Sequence, residues 1–580
     1  MLEFLKELIF FFLNILVLLI KKFIVLAKKI FKFTVKYLKK YYKISVVYIK
    51  EDYKISVKYL KRDYHFIIKY IKKFYSISTK YIKKFYNYIV TIDYKEYYYK
   101  ILHFIKRKKY LKRFKKWYMD SFYNSFENTL HVSCLILSLL IFVSLNIWFI
   151  LFDVYESYYQ MNVSIKLFKF YFYLGVDGLS FLFIYLTGLI IPLCMLYIYN
   201  SKLVEKGDYI ICLFCLEILL FLVFSVLDLF LFYFFFEIIL IPFFIMIGIN
   251  GINKRRTYAS YLLFFYTLFG SLLMLAGIFY LFINVGSTDF YILWATEFDP
   301  YVEKLLWIAF FTSFAIKVPI FPFHIWLPEA HVESPTEISV ILASLLLKIG
   351  LYGFLKILIP IFTNAHIYFS SIVFVLSTVS IFYTSFTTLR QVDIKRIIAY
   401  SSIAHMNFAV LGLINLNMIS LVGSITLMFG HAFISSGLFF LVGFLYDRYG
   451  TKTILYYSGI AYTMPLFSTF LLLFMLGNIS FPLTSNFIGE FLVIIGLFYE
   501  YKFFPFFFIF ISIFFCTIYT MWVYNKICFG LPNYKFGNKH VDLKLHEFFI
   551  LFVLFFFMIL IGIYPNIFID FIYNSLYLYL

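Results

Sequence analysis

Residues 314–350, which decide the fold, read FAIKVPIFPFHIWLPEAHVESPTEISVILASLLLKIG. Two apolar, helix-like runs each contain one lysine, Lys317 in the first and Lys348 in the second. Between the lysines lie prolines, two histidines and a short acidic stretch. A lysine at the centre of a membrane helix is costly, so it faces the bundle interior or a water-filled cavity. Lys317 and Lys348 therefore indicate a membrane protein in which charged side chains inside the membrane have a function.

The composition of the whole chain agrees with a membrane protein. Hydrophobic residues make up 63% of the 580 residues, and the mean hydropathy of +0.88 lies far outside the range of soluble domains. Long apolar runs follow one another with short polar breaks between them. The sequence therefore predicts an all-α polytopic membrane protein.

About fourteen apolar runs are candidate transmembrane helices. The first, residues 8–20, is short and can span a membrane if Lys6 and Lys21 extend their charged ends to the interfaces. The other runs lie near residues 132–152, 178–199, 209–226, 228–249, 259–283, 304–322, 336–361, 367–388, 394–414, 417–445, 464–499, 503–530 and 546–567.

Prolines interrupt two of these runs. Pro319 and Pro322 lie in the run at 304–322, and Pro482 lies in the run at 464–499. The two breaks occupy corresponding places in two stretches of about five helices each. Paired broken helices in two halves are typical of inverted-repeat transporters, and irregular backbone at membrane depth needs protein or water to satisfy its polar groups.

The N-terminal fifth of the chain is strongly basic. Residues 1–130 hold 31 of the 52 lysines and arginines but only 9 of the 31 acidic residues. Residues 32–97 form six 11-residue repeats, from KFTVKYLKKYY to NYIVTIDYKEY. This period places lysines on one narrow stripe of a helix and Ile, Val, Leu and Tyr on a broad face. The sequence predicts a first transmembrane helix in residues 1–31, a basic amphipathic helical extension over 32–130, and a transmembrane domain over 131–580.

The extension is expected to lie on a membrane surface, where anionic lipids would attract its lysines, or along a partner protein. Nucleic-acid binding is the alternative that charge alone allows. The narrow lysine stripe and the broad aromatic face favour lipid or protein, so no nucleic-acid partner is expected.

Four ionisable residues lie deep inside apolar runs: Glu237, Lys317, Lys348 and Glu490. Each is expected to face the bundle interior and to have a function. The alternative is a static ion pair between Glu237 and Lys317 that only fixes packing. Lys348 has no obvious carboxylate partner, and Lys317 lies beside a proline break where water is expected. Both features argue against a purely structural role.

Proton transfer is the chemistry that suits these positions. Burial disfavours the charged form of a lysine, and a nearby carboxylate opposes that effect. If the carboxylate acted less strongly on Lys317, that lysine would release its proton toward Lys348. Histidines suit a relay because they titrate near neutral pH; His405 and His431 lie in apolar runs. A hydrogen-bonded core residue is the alternative for any single histidine.

Three further residues at the proline-rich break are secondary candidates: His324, His331 and Glu333.

Six segments, in chain order, carry a resemblance to a known family: FYFFFEIILIP, FAIKVPIFPFHIWLPEAHVESPT, SVILASLLLKIGLYG, LRQVDIKRIIAYSSIAHM, GHAFISSGLFFLVGFLYDR and TSNFIGEF. They resemble the chain 4 family of respiratory NADH:ubiquinone oxidoreductase, complex I, which are antiporter-like, proton-pumping subunits. The resemblance extends from GVDGLSFLF (175–183) to the C-terminus.

The resemblance implies fourteen core helices, two inverted five-helix repeats, broken helices 7 and 12, and a polar axis along the membrane midplane. It implies that Glu237 pairs with Lys317, that Lys348 is the central lysine and that Glu490 lies near the exit channel. His405 and His431 would line the axis. A carboxylate at position 490 resembles chain 4, since the related chains 2 and 5 usually have a lysine there.

The resemblance also implies partners and a location. The neighbours would be other membrane subunits of complex I, especially chains 2 and 5, in the mitochondrial inner membrane. No cofactor is expected in this chain, because it shows no nucleotide, flavin, iron–sulfur or haem motif and no metal-site spacing. NADH, FMN, iron–sulfur clusters and ubiquinone would be bound by other subunits. The 11-residue repeats have no counterpart in the family and would occupy the matrix-side loop after the first helix, in agreement with the positive-inside rule.

Two other functions are consistent with the residues. The chain could be a subunit of a multi-subunit Na⁺/H⁺ antiporter, which shares this fold and many of these motifs. It could also be a scaffold subunit without its own proton channel, whose basic repeats bind partners or lipid.

Overall fold

A computed structural model describes residues 112–156, 158–167, 170–199, 206–251, 253–499, 504–532 and 541–576. The chain divides into two compact units, Met1–Asp120 and Ser121–Leu580, and nearly all described residues belong to the second. The predicted first transmembrane run at 8–20 and the 11-residue repeats lie outside the described residues. Both, and the domain boundaries that depend on them, stay predictions.

The first half of the described chain contains one hairpin and nine helices. In chain order these are α1 (Lys112–Leu151), β1 (Gln160–Leu167), β2 (Phe170–Val176), α2 (Gly178–Ile198), α3 (Lys206–Ser225), α4 (Leu229–Asn250), α5 (Arg256–Val285), α6 (Phe290–Trp294), α7 (Pro300–Lys317), α8 (Trp326–Glu333) and α9 (Thr336–Ile361).

The second half is helical. It contains α10 (Thr363–Leu389), α11 (Ile394–Ile414), α12 (Met418–Tyr449), a short 3₁₀ turn (Ile454–Tyr456), α13 (Ile460–Thr463), α14 (Pro465–Asn478), α15 (Ser485–Tyr499), α16 (Phe504–Cys528), α17 (Leu545–Ile563) and α18 (Asn566–Leu576).

Eleven helices of the described residues are long and apolar enough to cross a membrane. They coincide with eleven of the predicted runs. The predicted runs at 304–322 and 464–499 are instead the two broken regions, α7–α8 and α14–α15. The polytopic helical fold is therefore confirmed, whereas the count of fourteen stays a prediction because residues 8–20 are not described.

The centre of the fold consists of α2, α9, α11 and α12, in which nearly every residue is buried. These helices are apolar on all sides, as expected for helices that other helices surround. Helix α12 packs against α11 on one side and α15 on another, and α10 packs against α11 and α16. Polar side chains on the central helices therefore face protein rather than lipid.

The first predicted break is confirmed between α7 and α8. Helix α7 ends at Lys317, and Pro319 cannot continue it because proline has no N–H to donate. The indole N–H of Trp326 donates to the carbonyl oxygen of Ile316 at 2.9 Å. A side chain of α8 thus satisfies a carbonyl that the end of α7 leaves without an intrahelical partner.

The second predicted break is confirmed between α14 and α15. Asn478 is the last residue of α14, and Pro482 lies in the connecting segment. Ser480 and Leu483 have φ angles of 63° and 74°, in the left-handed region that non-glycine residues rarely adopt. The N–H of Phe481 still donates to the carbonyl of Leu476 at 3.1 Å, so the protein satisfies this broken backbone too.

Helix α9, which contains Lys348, has two π-helical turns, Leu342–Leu346 and Phe354–Leu358. It approaches the end of α7 closely at Gly350. A Cβ atom there would lie 2.7 Å from Cγ2 of Val318 and 3.2 Å from Cβ of Lys317. A glycine is therefore needed where the two lysine-bearing helices cross.

The β1–β2 hairpin was not predicted from the sequence. The two strands are antiparallel, with Leu167 opposite Phe170, and β2 also forms a bridge from Leu174 to Val226. Residues 162–167, NVSIKL, alternate polar and apolar side chains, which is the two-residue period of a strand. The prediction missed this short signal because it lies between long apolar helices.

Candidate functional site

Four predicted residues meet in one buried line that crosses four helices. Lys348 on α9 lies 2.9 Å from His431 on α12, measured from Nζ to Nδ1. The rings of His431 and His405 have centroids 5.7 Å apart. His405 on α11 contacts Glu490 on α15, with 2.9 Å between Nδ1 and Oε1. We call these four residues the central line.

The π-helical turn that precedes Lys348 positions its side chain. Its ammonium donates to the carbonyl oxygen of Ala343 at 2.5 Å, five residues earlier and within that turn. Such turns leave backbone groups free for other partners and occur frequently at functional sites. Lys348 is fully buried, and its hydrogen bonds to Ala343 and His431 offset part of the cost of burying an amine.

Lys317 and Glu237 are neighbours but do not form the direct salt bridge that the resemblance implies. The Lys317 ammonium donates instead to the carbonyl oxygen of Phe236 at 2.9 Å and lies over the Phe236 ring. Glu237 interacts with Lys317 through its charge and also with the hydroxyl of Ser271 on α5. Because the Lys317 ammonium is bonded to a backbone carbonyl, it interacts with the Glu237 carboxylate through charge and not through a direct hydrogen bond. A static ion pair is therefore not what this geometry shows.

The secondary candidates lie around the first break. His331 is fully buried, stacks on Phe439 at a centroid distance of 4.6 Å, and has no hydrogen-bond partner on either ring nitrogen among the described residues. It interacts through charge with both Lys348 and Lys395. His324 contacts the ring of Tyr383 instead. The structure therefore places His331, but not His324, beside the central line.

Glu333 belongs to a polar cluster at the start of α11, which we call the Lys395 cluster: Glu333, Glu337, Lys395 and Lys452. The Lys395 ammonium donates to the carbonyl of Ser334 at 3.0 Å, and that of Lys452 donates to the carbonyl of Val332. Burial lowers the pKa of Lys452, and the carboxylate of Glu333 acts in the opposite direction. His331 interacts through charge with Lys395 of this cluster and with Lys348, so it links two groups of ionisable residues.

The sequence-based set of four deeply placed charges was incomplete. Among the described residues, four other lysines and glutamates in apolar helices are also fully buried: Glu217, Glu337, Lys356 and Lys395. Lys356 follows Lys348 by eight residues in the same predicted run, a spacing that puts both on one face of a helix. This eight-residue spacing is the feature of the sequence from which Lys356 could have been predicted as a second buried lysine.

Lys356 has its own buried partners at the far end of α9. Its Nζ lies 3.5 Å from Oδ1 of Asp177, and both side chains are fully buried. The ammonium also donates to the hydroxyl of Tyr352 at 2.7 Å, which in turn donates to the carbonyl of Phe224 at 3.1 Å. Asp177 lies immediately before α2, where the sequence alone does not reveal its contact with α9.

Comparison with known proteins identifies the family of the chain. Residues 226–516 match the family described as "NADH:quinone oxidoreductase/Mrp antiporter, TM". The NADH-ubiquinone oxidoreductase chain 4 of Chondrus crispus is 45% identical over 451 residues, which cover 77% of this chain and 90% of the relative. The corresponding protein of Acanthamoeba castellanii is 46% identical over 74% of this chain and 86% of the relative.

Solved structures share the fold. A chain of respiratory complex I from Thermus thermophilus aligns with a TM-score of 0.69 and 27% identity, covering 78% of this chain and 98% of that one. A chain of the Mrp complex from Dietzia sp. DQ12-45-1b aligns with a TM-score of 0.70 at 16% identity, over 78% of this chain and 93% of that one, a likeness of fold alone. With the sequence matches, these findings show that the chain belongs to the NADH-ubiquinone oxidoreductase chain 4 family, the antiporter-like membrane subunits of complex I.

Proposed function

We propose that this chain is a membrane-arm subunit of respiratory complex I that carries protons across the mitochondrial inner membrane, coupled to NADH oxidation and ubiquinone reduction. The observation that carries this proposal is the central line. Four ionisable side chains on four helices lie in hydrogen-bond or ring contact within an apolar bundle. Polar residues inside a membrane are costly and are kept where protons or ions move.

The residues have successive roles in this proposal. Lys317 and Lys348 hold protons, and Glu237 controls Lys317 through its charge. His431 and His405 pass the proton along the line to Glu490, from which it leaves. The Lys395 cluster and His331 supply protons to Lys348 from the side where α11 begins.

The redox chemistry belongs to other subunits in this proposal. We infer that NADH, FMN, the iron–sulfur clusters and ubiquinone are bound outside this chain, whose residues bind, hold and move protons. Each proton moved against the membrane potential costs about 2.3 kcal/mol per 100 mV. The line must therefore connect to one side of the membrane at a time.

The proposed neighbours are the antiporter-like chains 2 and 5. The basic 11-residue repeats would contact anionic lipids or a partner subunit, and no nucleic acid would bind them.

Substitution of Glu237 tests the role of this chain. Glu237→Ala should assemble into the complex yet lose most of its coupled proton pumping, because Lys317 loses the carboxylate that acts on it. Glu297→Ala, which removes an exposed carboxylate outside the apolar helices, is the control. The measurement is acidification of proteoliposomes per NADH oxidised. Normal pumping by the assembled Glu237→Ala complex would contradict the proposed role.

Association with the redox subunits is tested on mitochondrial membranes. Native gel electrophoresis followed by staining for NADH dehydrogenase activity should give an active band that contains peptides of this chain. Recovery of the chain only in a smaller, redox-inactive band would point to an independent antiporter driven by another gradient.

A further inference from the structure

A small cavity lies at the outer end of the central line. Its volume is about 30 Å³, and its polar lining consists mainly of His405, Asn478, Ser480, Glu490, Cys516 and Tyr519. These residues come from α11, α14, α15, α16 and the break after α14. A site needs about 10–15 Å³ and two to four polar partners to hold one water, so this cavity has room and partners for about two.

Two lining residues have polar atoms that need a partner. Nε2 of His405 and Oγ of Ser480 are buried and have no hydrogen-bond partner among the described residues. His405 is the outermost histidine of the central line, and Ser480 lies in the break between α14 and α15. Water in the cavity would satisfy both atoms and would connect the central line to the broken helix.

Cys516 lines the same cavity as these two atoms. Its thiol donates to the carbonyl oxygen of Asn478 at 3.5 Å, and its sulfur lies 3.0 Å from the hydroxyl of Tyr519. The sulfur also lies near His405, although its geometry forms no hydrogen bond to Nε2. Because Asn478 ends α14, Cys516 contacts both the histidine of the line and the backbone at the break.

We propose that Cys516 is a covalent-modification site inside the proton outlet, where a small thiol-directed reagent reaches the sulfur through the cavity and blocks proton release. The inference rests on the proposed function, since it takes the cavity as the outlet of the path. A methylthio group on the sulfur would fill the space that the cavity offers to water. It would also remove the proton with which the thiol donates to Asn478.

Methyl methanethiosulfonate is a small thiol-directed reagent that leaves only a methylthio group on the sulfur. The thiol gives up its proton to solvent, and the sulfur attacks the sulfenyl sulfur of the reagent. A disulfide to the methylthio group forms, the bond to the sulfonyl sulfur breaks, and methanesulfinate leaves. Dithiothreitol reverses the step by reducing the new disulfide.

The test uses the intact complex in proteoliposomes. The complex is treated with methyl methanethiosulfonate, the labelled fraction of each cysteine is measured by mass spectrometry, and protons pumped per NADH oxidised are measured on the same samples. Cys516 should be labelled faster than Cys528, which lies at the end of the same helix and is fully buried. Pumping per NADH should fall as Cys516 becomes labelled and should recover with dithiothreitol.

Variants separate this site from the other cysteines of the complex. Cys516→Ser, compared with its own untreated sample, should resist the reagent, because the serine hydroxyl does not react. Cys215→Ser, which removes an exposed cysteine of α3, should stay sensitive. Equal inhibition of Cys516→Ser, labelling of Cys516 no faster than Cys528, or full labelling with unchanged pumping would each overturn the proposal. None of these outcomes depends on the Glu237→Ala result, which tests the proton-pumping function itself.

Discussion

At the scale of single residues, hydrogen-bonding geometry distinguishes the central line from a set of satisfied core side chains. Most buried side-chain polar atoms have at least one hydrogen-bond partner. His405 instead has one nitrogen on Glu490 and the other without a partner beside a cavity. Lys348 likewise contacts an imidazole, that of His431, rather than a carboxylate. Lys348 and His431 can therefore exchange a proton without separating an ion pair.

Removal of the Lys348 amine tests this interpretation. Lys348→Met keeps the length and apolar stem of the side chain but leaves Nδ1 of His431 without its partner. The assembled complex should pump at least tenfold more slowly, which corresponds to about 1.4 kcal/mol in the barrier. Proton pumping and NADH oxidation in proteoliposomes are the measurements. Lys526→Met, at an exposed position near the end of α16, should be close to wild type.

A wild-type pumping rate in the Lys348→Met complex would remove Lys348 from the proton path. It would favour a scaffold function for the chain.

The sequence predicts Lys317 and the four residues of the central line, but not their contacts. Lys317, Lys348 and Glu490 are conspicuous because each is a charge in an apolar run. The geometry around Glu237 was not predictable, because the competing acceptor for Lys317 is a backbone carbonyl, which every residue has. Lys356 and Asp177 were missed because their pairing joins positions 179 residues apart in the chain, and only the fold brings them together.

At the scale of helices and strands, the broken helices are stable because side chains replace the lost backbone bonds. The proline positions predict both breaks, but not which groups satisfy them. At the first break the partner is the indole of Trp326. An unsatisfied carbonyl buried in the bundle would cost about 1–3 kcal/mol, so this bond supports the geometry beside Lys317.

Substitution of Trp326 by phenylalanine should weaken the first break. Trp326→Phe keeps an aromatic ring but removes the N–H that donates to Ile316, at a cost of about 1–2 kcal/mol. Purified complex should lose pumping activity faster on heating. Trp307→Phe is the matched control, because the indole nitrogen of Trp307 is buried without a hydrogen-bond partner among the described residues. Equal heat sensitivity of the two variants would contradict a specific role for the Trp326 bond.

At the scale of the whole molecule, charge divides the chain into two parts. Residues 1–130 contain 31 of the 52 basic residues, whereas residues 131–580 hold 21 basic and 22 acidic residues and are nearly neutral. The relatives match between 69% and 78% of this chain, a share that the transmembrane domain alone would account for. The candidate site therefore consists of single charges placed inside a part of the chain that is nearly neutral overall.

Glu237 and Glu490 lie at opposite ends of the proposed path, so a double substitution tests whether there is one path. In a single path the transit times of successive steps add. A Glu237→Gln, Glu490→Gln complex should therefore pump nearly as fast as the slower of the two single variants. Two separate parallel routes would give another pattern, in which each single variant keeps about half of the pumping and the double variant loses nearly all of it. Residues that act in one unit are known to be strongly non-additive, and the rate of proton pumping in the four complexes of this cycle distinguishes the two arrangements.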